Sequence, residues 1–413
     1  MTLKKKTWFT NLIIFLGILG PGIITGSVDN DAGGITTYSV AGALFGYRLL
    51  WTLIPSFIVL VIVQEMNARM GIVTGKGLAD LIRENFGVKI TFFISIGLLI
   101  TNIGNTTTEF AGVAGSMQIF GINKYISVPI AAVFVWILVV KGTYHSVEKI
   151  FLIFSVFLLT YLVSAVLAKP DWRNIGLAVV TPSFEFNTGY LSIVIGLIGT
   201  TIAPWMQFYM QSAVIEKGIK VEEYKYEIWD VVVGCIATIV VAFFIMVACG
   251  ATLYQKGIQI NDAKDAALAL EPLAGAFASE LFAFGLFVAS VFAATILPLA
   301  TAFYVCEAFG FESGVDKNLK EAPEFYTFFT GTIIISVAII LFPKAPLIPI
   351  TIWSQVINGI LLPVILISMI ILVNKKEIMG NYVNNRLKNI ISWLTIIILI
   401  VLAFILVIEP LLN

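Results

Sequence analysis

Apolar runs the length of a bilayer crossing follow one another through this sequence, separated by short charged or turn-rich breaks. A helix needs about 20 consecutive apolar residues to cross the hydrocarbon core, and nearly the whole chain divides into such runs. They fall at about 11–45, 49–69, 91–119, 126–141, 148–168, 189–217, 229–254, 273–309, 326–343, 348–373 and 390–411. The expectation is therefore an all-α membrane protein of eleven transmembrane helices, forming a single transport domain over 1–413. The chain is 59% hydrophobic and 12% charged, with a mean hydropathy of +0.98. Soluble domains carry about 25% charged residues, so one aqueous core is excluded. The formal charge of zero offers nothing to a nucleic acid. The partners expected are the lipid bilayer and a small substrate, with no obligate protein partner.

Lys4, Lys5 and Lys6 precede the first apolar run, as in a secretory signal, but the run continues past Gly20 without a small-residue cleavage site. A retained first helix is expected. With the N-terminus in the cytoplasm, 18 of the 25 Lys and Arg residues fall in inside segments, leaving Arg48, Lys124, Lys169, Arg173, Lys256, Lys264 and Lys344 outside. This positive-inside bias predicts a multi-pass plasma-membrane protein with a cytoplasmic N-terminus and an outside C-terminus. Cys235, Cys249 and Cys306 lack metal-type spacing and read as packing residues.

Two of the runs are too long for one crossing and are interrupted. The first carries Gly20-Pro21-Gly22 and then Ser27 to Gly34, with Asp29 and Asp31 at bilayer depth. Each such carboxylate costs about 2.5–3.5 kcal/mol on insertion scales, so it must face protein or water. The neighbouring glycines allow an unwound backbone whose carbonyls can bind a cation. The second interruption is Gly199-Thr200-Thr201-Ile202-Ala203-Pro204. Pro204 removes one helical hydrogen bond and clashes with the turn before it. Five helices separate the breaks, the arrangement of an inverted-repeat transporter with its site at the midplane. Helices 1–5 (about 11–168) and 6–10 (about 189–373) are the expected repeats, with helix 11 (about 390–411) added.

These blocks resemble the Nramp family of divalent-metal transporters. The resemblance rests on Gly20-Pro21-Gly22, Asp31-Ala32-Gly33-Gly34 and Gly46-Tyr47-Arg48-Leu49-Leu50-Trp51 in helix 1, and on Gly199 to Pro204 in helix 6. Leu281 to Leu286, Ser354-Gln355-Val356 with Leu362-Pro363, and Met379-Gly380 extend it along the chain. It implies the LeuT-like fold, with helices 1 and 6 broken. It also places Asp31 on the family's metal-binding aspartate, while Gly34 replaces an asparagine ligand and Ala203 a methionine ligand. Ala32 replaces a proline and Trp205 a histidine. Thr106-Thr107-Thr108-Glu109 keeps the glutamate of an Asp-x-x-Glu pattern and loses its aspartate.

A thioether favours transition metals. Its loss leaves a wide site of carboxylates and carbonyls, suited to an ion that keeps part of its water, as Mg²⁺ does. The pattern is similar to the magnesium-transporting branch of the family. The expected metal site is Asp31, Gly34, Thr200, Ala203, Gln355 and Asp29, with Glu109 and Asn30 as relay or supporting residues. Asp29 serves either as a ligand or in lining the vestibule. Gln355 either occludes the site or bonds another helix. No cofactor is expected; Mg²⁺ or Mn²⁺ enters as transported substrate.

With one histidine, His145, in a loop, proton coupling is expected to be weak. The alternatives are a proton-coupled Mn²⁺/Fe²⁺ transporter of the Nramp type and a Na⁺-coupled organic-solute transporter of the same fold. An enzyme is not expected, because no nucleophile–base pair or His-rich cluster is present. Gly75-Lys76-Gly77 lacks the upstream glycine of a phosphate loop.

Overall fold

A computed structural model describes residues 20–141, 159–261, 263–271, 275–343 and 345–412. Lys4 to Lys6, the start of helix 1, His145 and the first part of helix 5 lie outside the described residues. The architecture is helical. The first expected span is α1 (Pro21–Val28) and α2 (Ala32–Phe45). Then come α3 (Leu53–Thr74), α4 (Leu78–Phe86), α5 (Val88–Ile119), α6 (Lys124–Lys141), α7 (Leu159–Leu167) and α8 (Trp172–Val180). The sixth span is α9 (Thr188–Thr201) and α10 (Pro204–Glu216). The remainder are α11 (Tyr224–Cys249), α12 (Ala278–Phe309), α13 (Pro323–Leu341), α14 (Leu347–Val373) and α15 (Arg386–Leu412).

Among the described residues nine helices are long and apolar enough to cross a membrane. The other two of the expected eleven are the first span, divided by its break, and the fifth, of which α7 is the described part. Short helices outside the expected spans include α4 and α8. In α4, Leu78, Ala79, Leu81 and Ile82 are buried while Asp80 and Arg83 pair at 2.8 Å. This is a surface helix with one apolar face, too short to appear as an apolar run. The expected start of helix 7 at 229 moves back to Tyr224, because the charged residues Glu227 and Asp230 are buried inside the helix.

Asp230 explains how so short a helix as α1 is held. No side chain of α1 caps its N-terminus. Instead the Asp230 carboxylate accepts the Gly20 and Gly22 N–H groups at 3.2 and 2.6 Å. A carboxylate there satisfies orphan donors and complements the helix dipole. α1 lies directly on α11: a Cβ at Gly234 would stand 2.2 Å from the Gly22 carbonyl oxygen. Thr238 Oγ1 adds a 2.7 Å bond to the Gly26 carbonyl. Replacing Asp230 by Ala is expected to cost about 1 kcal/mol, the usual loss of a helix cap, and to lower the thermal unfolding midpoint.

At the α1 end of the bundle, Glu65 on α3 is buried and pairs with Arg69 (2.9 Å) and Lys388 (2.5 Å), and it accepts a hydrogen bond from the Tyr224 hydroxyl. Arg69 also donates to the Tyr382 carbonyl and to Asn384, each at 2.5 Å. The knot fastens α15 and the segment before it to α3 and α11. Glu307, near the end of α12, is buried as well; Ser212 Oγ donates to it at 2.6 Å.

A cavity of about 320 Å³ opens toward the end that carries Arg48, between α2, α5, α12 and α14. Ala32, Thr108, Gly112, Phe282 and Thr351 are among its lining residues. Toward the α1 end, a cleft of about 10 Å³ lies between Gly22, Gln64, Met206 and Cys235, room for one water at most.

Candidate functional site

The first break is three residues long. The Asp29 N–H still bonds the Thr25 carbonyl and the Asn30 N–H the Ser27 carbonyl, at 3.2 and 3.3 Å, and then the chain unwinds. Asp31 is extended and caps α2, its carboxylate accepting the Gly34 N–H at 2.7 Å. The Ala32 N–H donates to Glu109 Oε2 on α5 at 3.2 Å. Two carboxylates thus meet the positive end of α2. The glycines follow from crowding. A Cβ at Gly34 would stand 2.4 Å from the Asp29 carbonyl oxygen, and one at Gly33 would stand 2.3 Å from Gln355 Nε2 and 3.1 Å from Asp31 Oδ1.

Burial here is nearly complete, with relative exposures of 2% for Asp29, 1% for Asn30, 6% for Asp31 and 0% for Glu109. Among the described residues, neither carboxylate oxygen of Asp29 has a hydrogen-bond partner, nor do Asn30 Oδ1 and Glu109 Oε1. An ionised carboxylate held so far from water costs several kcal/mol unless a positive charge meets it. The break gathers carboxylate oxygens in a place nearly closed to water.

The second break lies where the sequence put it. α9 ends at Thr201, Ala203 is extended, and Pro204 opens α10. Proline pushes the residue before it out of the helical region and needs no donor at a helix start. Thr201 Oγ1 bonds the Leu197 carbonyl at 2.7 Å and the Tyr38 hydroxyl at 2.8 Å, tying this break to α2. The Ala203 carbonyl accepts Gln207 Nε2 at 3.1 Å, and Asn67 donates to Gln207 Oε1 at 2.5 Å. Thr200 is buried one residue before Thr201. Trp205 is also buried, against Tyr209 with ring centroids 6.2 Å apart.

Gln355 is brought to the first break by the close approach of α9 and α14. A Cβ at Gly199 would stand 2.2 Å from the Gln355 carbonyl oxygen and 2.4 Å from the Gly359 nitrogen. Behind Gln355 runs a line of amides that sequence reasoning missed. Gln355 Oε1 accepts from Asn358 Nδ2 at 3.0 Å, which also donates to Asn105 Oδ1 at 2.8 Å. Asn105 Nδ2 reaches Asn102 Oδ1 at 3.5 Å, and Asn102 Nδ2 donates to the Leu297 carbonyl at 2.8 Å and to Thr301 at 2.7 Å. The signal was present, since Asn102, Asn105 and Asn358 sit inside apolar runs. What the sequence lacked was any mark of which ones meet. Asp230 escaped for the same reason, because its partners lie 208 and 210 residues away.

The described residues contain no group of three His, Cys, Asp or Glu side chains placed to hold a metal. Any ion at the break would depend on one or two carboxylates together with carbonyls and amides.

The Nramp family, described as natural resistance-associated macrophage protein-like, matches residues 22–409. A curated relative, the divalent metal cation transporter MntH of Bacillus subtilis, is 24% identical over 95% of this chain and 92% of its own. Among solved structures, the Eremococcus coleocola manganese transporter is similar at a TM-score of 0.76, with 23% identity over 95% of this chain and 86% of that one. Mhp1, a nucleobase-cation-symport-1 family transporter, is similar at 0.60 with 11% identity, over 95% and 93% of the two chains. The fold is therefore the LeuT-like one that the resemblance implied. With a match over nearly its whole length, the chain belongs to the Nramp family.

Proposed function

We propose that this protein carries divalent cations across the membrane by alternating access, Mg²⁺ by preference and Mn²⁺ as well, with little or no proton coupling. One observation carries the reading: buried carboxylates flank the helix-1 break, and both oxygens of Asp29 lack a partner among the described residues. A mobile cation supplies the missing charge. The cavity that reaches Ala32 beside the break gives an approach from one side, while α1, capped by Asp230, closes the other.

Family membership and the names of the relatives support a divalent metal. The residues of this chain support the hard end of that class. Ala203 offers a carbonyl and a methyl where a thioether would select softer ions. Mg²⁺ keeps several waters and needs one or two carboxylates, which matches Asp31 with Asp29. Replacing Ala203 by Met is expected to raise affinity for Mn²⁺ relative to Mg²⁺ by about tenfold, a change of roughly 1.4 kcal/mol, measured by isothermal calorimetry on purified protein. An unchanged ratio would place Ala203 outside the ion's surroundings.

The amide line bears on the proton. Beyond Glu109, the side chains that bond one another between α5, α12 and α14 include the amides of Asn102, Asn105, Asn358 and Gln355 and the hydroxyls of Ser354 and Thr301. None of these takes up or releases a proton near neutral pH. Mg²⁺ uptake into proteoliposomes is expected to follow the membrane potential and to be unaffected by an imposed pH gradient. Metal-evoked acidification of the lumen would contradict this.

A further inference from the structure

We infer that Asn358 is a positioning residue that sets which end of the Gln355 amide faces the ion, and so helps set which ion is preferred. The inference rests on the cation-site reading above. Leu297 anchors one end of the amide line, because its main-chain carbonyl can only accept. Asn102 must therefore turn its nitrogen to that carbonyl, as it does at 2.8 Å, and its oxygen to Asn105. Asn105 then offers Nδ2 to Asn102 Oδ1 at 3.5 Å and to Asn358 Oδ1 at 3.3 Å, and keeps Oδ1 for Ser354 and Asn358 Nδ2, both at 2.8 Å. Asn358 spends the two hydrogens of Nδ2 on Asn105 Oδ1 and Gln355 Oε1. Gln355 Oε1 is thereby held back in the helix packing, and Nε2 is the atom that crowds Gly33 at the break.

The chemical consequence is definite. An amide nitrogen that carries its hydrogens is a donor and cannot ligate a cation. As held here, Gln355 presents Nε2 to Gly33 at the break and contributes no oxygen to the ion. The ion must fill its shell from carboxylates, carbonyls and water, which favours an ion reluctant to lose water. If the relay were inverted, Gln355 Oε1 would face the site. One more protein oxygen would then compete with a retained water, and the more readily dehydrated Mn²⁺ would gain on Mg²⁺.

Asn358→Asp performs that inversion. A carboxylate at 358 accepts only, so Gln355 satisfies it by presenting Nε2 and turning Oε1 to the break. The charge that the substitution adds is removed from the comparison by a double-mutant cycle with Gln355→Leu. Mn²⁺ and Mg²⁺ dissociation constants are measured by calorimetry for the wild type, each single variant and the pair. The expected result is a shift of the Mn²⁺/Mg²⁺ affinity ratio toward Mn²⁺ by at least about threefold, within the range for contacting residues, with Gln355 present and not with Leu at 355.

An equal shift in both backgrounds is a charge effect and overturns the inference, as does no shift in either. If Asn358→Asp does not fold, Asn358→Leu takes its place. It frees Gln355 to turn and predicts a smaller shift in the same direction, and an unchanged ratio again overturns the inference. Wild-type protein that binds neither ion contradicts the cation reading itself and removes the inference with it. Wild type that binds while the cycle shows no coupling defeats the inference alone.

Discussion

Asp31→Ala is expected to weaken Mg²⁺ and Mn²⁺ binding by more than the roughly 10–100-fold that loss of a mere supporting residue costs a metal site, and to bring transport to background. Asp31 does two things in one place. Its carboxylate caps α2 through the Gly34 N–H, and its charge lies in the break beside Asp29 and Glu109, where water is largely excluded. Asp31→Asn separates the two, since an amide oxygen can still cap the helix but carries no charge. The account expects Asn to restore most of the stability lost on Ala substitution and little of the cation affinity. Calorimetry paired with thermal unfolding reads the two effects separately. Recovery of binding by Asn would mean that Asp31 acts through the helix cap rather than through its charge.

The second large effect is steric. Gly199→Ala places a Cβ 2.2 Å from the Gln355 carbonyl oxygen and 2.4 Å from the Gly359 nitrogen. Both are backbone atoms, so no side chain can swing aside to make room. α9 and α14 must separate, at a cost of about 1–3 kcal/mol for overpacking, and Gln355 moves with α14 away from the break. The expected outcome is a lower unfolding midpoint together with reduced transport. Gly285→Ala serves as the comparison, since nothing lies within 4 Å of a Cβ there. A Gly199→Ala protein with a wild-type midpoint would show that the two helices are not held as close as described.

The sequence made the breaks legible because their causes are local. Pro204 and the residue before it are restricted by the proline ring alone, and aspartates among glycines in an apolar run mark a segment that cannot remain a plain helix. Asp31, Gly34, Gln355 and Glu109 were nominated by resemblance, and the fold brings them to one place around the start of α2. Thr200 and Ala203 lie at the second break, tied to α2 through the neighbouring Thr201 and Tyr38.

The features that escaped depend on partners far along the chain. Asp230 reads as one more acidic residue at a helix end until α1 is laid on α11. Asn358 reads as an ordinary interhelical amide until Asn105, 253 residues away, is placed beside it. The glycines of α1 and α11 are similar: the pattern shows small residues, while the main-chain contact that requires them needs both helices in place. Helix α4 was overlooked for a different reason, since nine residues with half their faces charged never form an apolar run.

On the proposed reading, an oxygen-rich break around Asp31 selects a hard divalent cation. Flux of Mg²⁺ into proteoliposomes under an inside-negative potential, measured alone and against rising Mn²⁺, tests it most directly when wild type and Asp31→Ala are compared side by side. The expected result is Mg²⁺ uptake by the wild type, inhibited competitively by Mn²⁺ and absent in Asp31→Ala. Wild-type protein that transports Mn²⁺ while Mg²⁺ neither moves nor competes would contradict it.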